Sequence, residues 1–118
     1  MKKLTTNQAL KRGVKAHKAG QIQEADRLYK TILNAQPKHP DANHNLGVLA
    51  VDIGKVQEAL KFFKTALEAN PATAQFWLSY IDALIKLDKF ADAKAVLDQA
   101  KSMGAKGDIF DMLEQRLN

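Results

Sequence analysis

The sequence predicts an all-α solenoid: three stacked helix-turn-helix units closed by a short final helix. Three observations carry this. First, the chain repeats itself every 34 residues, with Ala25, Ala59 and Ala93 in one column, Tyr29, Phe63 and Leu97 in a second, and Ile22, Val56 and Phe90 in a third. A fixed period of that length with helix-sized segments is the signature of stacked helical hairpins. Second, the punctuation repeats too, Gly13 with Gly47, Gly20 with Gly54, and Pro37 with Pro71. Third, apolar residues within each segment fall at one-face helical spacing. One such hairpin cannot bury its own apolar faces, whereas three share a continuous core between neighbours.

The first unit spans 6–39. Thr5 with Gln8 three residues on, or Thr6 itself, is placed to cap a helix over 6–19. A second helix over 22–35 sets Ile22, Ala25, Leu28, Tyr29, Ile32 and Leu33 on one face. In the second unit, 40–73, Pro37 and Pro40 bracket the entry and Asp41 favours the positive end of the helix dipole. That helix ends near Ile53, where Gly54 supplies the left-handed conformation of a helix C-terminus, and its partner covers 56–69. Gly47, Ala50, Ala59 and Ala66 let the two backbones approach, while Leu46, Phe62, Phe63 and Leu67 fill the space beside them. Pro71 then stops the helix because it has no N–H to continue the bonding. The third unit, 74–107, opens on Thr73 as a cap and carries helices over 74–87 and 90–102. Ile109, Phe110, Leu113 and Leu117 give the last segment, 108–118, a single apolar face behind Asp108 as N-cap. Such a closing helix predicts that the array ends by residue 118, within one domain of 1–118, although a further domain can follow in a longer protein.

The pattern Asn43-x2-Leu46-Gly47-x2-Ala50, then Ala59-x3-Phe63, Ala66-Leu67 and Pro71, joined by Trp77-x2-Tyr80, resembles the tetratricopeptide repeat (TPR) family. The resemblance implies a right-handed superhelix with the first helices on its concave side, no catalysis, and a peptide or protein partner in the groove. The stretches 39–47 and 76–86 are similar to bacterial segments that precede a glycosyltransferase, sulfotransferase or methyltransferase domain, which implies a recruiting module of a larger protein. Departures from the family pattern are Arg12 at an apolar place in the first unit, and Ile81, Asp88 and Ala105 in the third where glycine, glycine and proline are usual. Arg12 costs little because a first unit lacks a neighbour on one side. Ile81 predicts a wider helix contact.

Composition narrows the function classes. There are 118 residues, 46% hydrophobic and 26% charged, with no run of 18 apolar residues to span a membrane and no apolar stretch behind the charged N-terminus to act as a secretory signal. The absence of cysteine excludes disulfides and thiolate metal sites and suits the cytoplasm. Residues 1–39 hold nine Lys/Arg against two Asp/Glu, while the last eleven carry three acidic residues against one basic. A basic end reads as a solvated face, or as a surface for an acidic partner or nucleic acid. Nucleic acid is the weaker reading, since Tyr29 is the sole aromatic there for base stacking.

No phosphate loop, nucleophile elbow, zinc-protease or calcium-loop motif is present, so no enzyme is predicted and no cofactor. His17 and His44 project from first helices on one side, but two histidines without a carboxylate at ligand spacing read as surface residues. Asp88 and Asp92 read as a solvated helix start, and Trp77 as packing core.

What remains is the surface that stacking creates. If 43, 46, 47 and 50 face partner helices, the opposite stripe in the second unit is Asp41, Asn45, Val48 and Asp52. Its counterparts are Asn7, Lys11, Val14 and Lys18, then Gln75, Ser79, Asp82 and Lys86, with Leu10, His44 and Leu78 between them and His17, Val51 and Ile85 further along. Charged edges over Val14, Val48, Val51 and Leu78 suit an extended or helical peptide with apolar anchors. Equally, those aliphatics pack adjacent first helices together. The TPR subclass that grips chaperone C-terminal carboxylates uses five places that hold Leu10, Val14, Asn45, Gln75 and Ser79 here, of which Asn45 alone matches. Asn45 also resembles one rung of the O-GlcNAc transferase asparagine ladder, which Lys11 and Ser79 do not continue. The leading expectation is a peptide-binding module. The alternative is a scaffold in which the basic first unit meets the acidic last helix of another copy, a homo-oligomer by head-to-tail contact.

Overall fold

The computed structural model describes residues 3–118 as seven helices: α1 (Thr6–Lys18), α2 (Ile22–Ala35), α3 (Pro40–Asp52), α4 (Val56–Ala69), α5 (Ala74–Lys86), α6 (Phe90–Ser102) and α7 (Asp108–Leu117). Met1 and Lys2, the start of the basic stretch, lie outside the described residues. The elements match the sequence reading to within a residue or two, and the all-α solenoid is as expected.

Each first helix ends one residue earlier than its apolar pattern suggests, because the backbone turns left-handed just beyond. Gly20 and Gly54 have φ of 77° and 82°, and Asp88 takes the same turn at 59°. The amide of the following residue then reaches back five positions, Gln21 to the Ala16 carbonyl, Lys55 to Ala50 and Lys89 to Leu84, at 2.8–2.9 Å. This pairing satisfies the helix's last free carbonyls. Asp88 therefore lies in the turn ahead of α6, at the place of the turn glycine, as the sequence reading had it. Aspartate is among the few side chains that enter this region at modest cost.

The helix starts vary more. Thr5 and Gln8 form the expected reciprocal box, Thr5 Oγ1 accepting from the Gln8 amide at 3.1 Å and Gln8 Oε1 from the Thr5 amide at 2.9 Å. At α3 the cap is His39, whose Nδ1 accepts from the Ala42 amide at 3.1 Å. Thr73 occupies the N-cap of α5 without a side-chain bond. Asp108 is not the N-cap of α7; Gly107 is, at φ 122°, and Asp108 is the first helical residue, where its charge still favours the dipole.

Packing runs in sequence order. Consecutive helices touch throughout, and first helices also touch each other, α1 with α3 and α3 with α5. Among the described residues α2 and α4, or α4 and α6, make no comparable approach. First helices closer than second helices means a stack that curves around its first helices, within a body of 54 × 27 × 21 Å. Leu46 and Leu49 of α3 bury against Ala16, Ala25 and Tyr29 of the first hairpin. Arg12, at the place equivalent to Leu46, is exposed.

Asn43 and Trp77 stand one period apart and solve one problem in two ways. Asn43 is buried and its side-chain amide donates to the Pro37 carbonyl at 3.1 Å. Trp77, also buried, donates its indole N–H to the Pro71 carbonyl at 2.8 Å. Each ties a first helix to the proline turn before it and gives its own buried N–H a partner. Trp77 is core, in agreement with the sequence reading.

Candidate functional site: the inner face of the first helices

The expected stripes run along α1, α3 and α5. Asn7, Lys11 and Lys18 of α1, Asp41 and Asp52 of α3, and Gln75, Asp82 and Lys86 of α5 are exposed, while Val14, His44, Asn45, Val48 and Ser79 are half-buried. The face is thus polar at its edges and partly covered along its floor. Val48 and Val51 pack against the cluster of Ala50, Ala59, Phe63 and Ala83, and Leu78 against the cluster around Trp77. These aliphatics do join neighbouring helices.

Two histidines brace the stack across this face. His17 Nε2 lies 2.5 Å from Asp52 Oδ2, linking α1 to α3, and His44 Nε2 lies 2.8 Å from Ser79 Oγ, linking α3 to α5. Both pairs are separated by 35 residues, one period plus one. That offset is the signal by which sequence reasoning can find such pairs, because a side chain leaning across a joint meets the helix one position further on. The two histidines are therefore engaged separately, and among the described residues no group of three His, Asp or Glu forms a metal cluster. His44 is also stacked on Phe76, centroids 4.8 Å apart, and tilted against Phe63 at 5.6 Å. This burial pushes its imidazole below the ordinary histidine range, with Asn45 and Asp41 pulling the other way. Tyr29, beneath Asn45, is raised by burial, with Asn45 acting in the opposite sense.

Charge on the inner face is unevenly compensated. Asp52 is held by His17, and Asp82 by Lys86 at 2.6 Å. Lys11 and Lys18 have no ion-pair partner among the described residues. The first unit therefore leaves cations free on this face.

Sequence reasoning did not anticipate the outer fissures. One opens between α2 and α4 down to α3, floored by Leu46, Leu49 and Ile53 and rimmed by Asp26, Lys30, Glu58 and Lys61. Its existence follows from the splay of the second helices. Phe62, expected to fill space beside the small residues, packs half-buried on the cluster that holds Leu46 and Leu49 and lines this fissure. No described helix is long and apolar enough to cross a membrane.

A family model described as "Tetratricopeptide repeat" matches residues 16–77 and 50–117. No curated protein sequence matches significantly. Many solved structures share the fold. The crystal structure of MamA superposes with a TM-score of 0.74 at 24% identity, over 84% of this chain and 54% of that one. Pseudomonas aeruginosa PilF gives 0.78 at 19%, over 96% of this chain and 52% of that one. The chain thus spans about half the length of these two. The first TPR of Spaghetti (RPAP3), bound to the HSP90 peptide SRMEEVD, gives 0.80 at 19%, over 97% and 95%.

Proposed function

This chain belongs to the tetratricopeptide repeat family, and we propose that it is a protein-interaction module whose curved inner face takes a peptide or a helix of a partner. The repeats of the module are 6–39, 40–73 and 74–107, capped by 108–118 in a single domain. The observation that carries the reading is the alignment of three first helices side by side with their exposed stripes on one surface. Lys11, Lys18, Asn45 and Asp82 supply polar contacts there, and Val14 and Val48 the apolar ones. A similar fold holding the peptide SRMEEVD supports this use of the architecture. The carboxylate grip of the chaperone-binding subclass is not proposed, because Leu10, Val14, Gln75 and Ser79 lack its donors. No catalysis is assigned to the module. Recruitment of a partner to a larger, cytoplasmic bacterial protein is part of the proposal.

Titration of isotope-labelled protein with acidic-apolar peptides is expected to shift amide resonances at Asn45, Val48 and Asp82. Shifts confined to α2, α4 and α6 would sink the reading. A second reading, head-to-tail self-assembly, is favoured by one observation: hairpin one exposes Arg12 on the flank where hairpin two buries Leu46, and α7 carries Asp108 and Asp111. Light scattering across protein and salt concentration tests it, and a monomer throughout rejects it.

A further inference from the structure

A second outer fissure opens between α4 and α6 and reaches down to α5, one period on from the fissure over α3. Leu67, Trp77, Tyr80, Val96 and Met103 line it around a volume of about 350 Å³. Trp77 is buried and held by the Pro71 carbonyl, whereas Tyr80 is half-buried and Met103 is exposed. The two fissures differ in chemistry at matching places. Tyr80, Glu68 and Met103 stand one period on from Leu46, Asn34 and Ala69. The first fissure has an aliphatic floor and a rim of mixed sign, with Lys30 paired to Asp26, and Lys55 and Lys61 beside Glu58.

In the second fissure a carboxylate comes to the phenol from each wall. Glu68 lies in the last turn of α4 and Asp92 in the first turn of α6, and both are exposed. Neither has an ion-pair partner among the described residues. Burial raises the Tyr80 hydroxyl above the ordinary phenol range, and Asp92 and Glu68 raise it further. Lys64 also lines this fissure, yet it is not among the groups that act on the hydroxyl. The charge felt at the Tyr80 hydroxyl is therefore negative, and it comes from two separate helices.

We propose that this fissure docks an arginine side chain of a partner protein, presented between apolar residues. The guanidinium stacks on the Tyr80 ring and donates to Glu68 and Asp92, while its methylene stem lies along Leu67, Val96 and Met103. Two properties select arginine. Its planar fork serves two acceptors and an aromatic face together, whereas an ammonium is a point charge. Acidic side chains are disfavoured by the two carboxylates already there. This surface is on the outer side of the stack and does not depend on the inner-groove reading.

The probe is a capped peptide, Gly-Leu-Arg-Leu-Gly. Its controls carry citrulline, which keeps the shape of arginine and loses the charge, or lysine, or glutamate at the central place. Nuclear magnetic resonance titration follows the Met103 methyl and the Trp77 indole, with circular dichroism to check the fold of each variant. The arginine peptide is expected to shift both signals and to bind about tenfold more tightly than the citrulline peptide, with lysine between them and glutamate weakest. E68Q/D92N removes that difference and leaves the citrulline peptide unchanged, since two partly exposed ion pairs supply about that factor. Y80L, which installs the residue type of the first fissure, weakens the arginine and citrulline peptides alike. Equal binding of arginine and citrulline, or a difference that survives E68Q/D92N, overturns the proposal. No shift at millimolar peptide does the same. Shifts confined to Asn45, Val48 and Asp82 also overturn it and leave the inner-groove reading standing.

Discussion

Hairpins α3–α4 and α5–α6 fill the same packing site by opposite choices of side-chain size. In α3–α4, Gly47 faces Phe63, and a methyl group on Gly47 would fall inside the Phe63 ring. Gly13 and Tyr29 repeat that arrangement in the first hairpin. In α5–α6 the corresponding pair is Ile81 and Leu97, both fully buried in one cluster. One hairpin combines nothing with a large ring, and the other fills the site with two aliphatics of larger summed volume. The α5–α6 backbones are the most loosely apposed of the three hairpins, as Ile81 predicted. The lesson is that this packing site accepts different residue types and that the helix separation adjusts to the volume that fills it.

That contrast can be tested from either side. The largest effect is expected for Ile81→Gly, which empties a buried site and adds a helix-interior glycine. It should cost about 4 kcal/mol in urea unfolding. Adding Leu97→Phe rebuilds the glycine–aromatic pair of the second hairpin and should recover about 1–2 kcal/mol of it. Strict additivity of the two substitutions would mean that the sites do not share volume. Next comes Gly47→Ala. Alanine is the better helix former by about 1 kcal/mol, but the overlap with Phe63 outweighs this, and a net loss of about 1–2 kcal/mol is expected. Stabilisation instead would show that the ring moves freely.

The smallest effect sharpens the joint between these hairpins. His44 lies between Phe63 and Phe76, and burial holds its pKa below the ordinary 6.5. In the window from about 6.5 down to that lowered value the unfolded chain binds the proton first, so stability falls as pH falls. Denaturation between about pH 7.5 and 5.5 should show a decline in wild type that is smaller in His44→Gln. An equal decline in both would place the sensitivity elsewhere.

Much of this was legible beforehand because a repeat tests each assignment more than once. Gly20, Gly54 and Asp88 share a column and the same left-handed turn. Thr5 and Gln8 form a local box that needs no tertiary information. The misassignments were of another kind. Asp108 was placed as a cap although the glycine before it holds that position, and the fissure that Phe62 lines between α2 and α4 was not foreseen. The inner-face stripe followed from helical spacing. Its bracing by His17 with Asp52 and His44 with Ser79 did not, since which way a side chain leans across a joint depends on the neighbouring helix.

The sequence by itself determined the helices, their turns and the order of stacking, because propensity, capping and 34-residue spacing act within reach of a single hairpin. Only the tertiary structure decided how strongly the first helices converge, which of their side chains are spent on one another, and that Ile109 and Met112 remain uncovered. Those outcomes depend on volumes summed across several helices at once, which no local pattern of residues encodes.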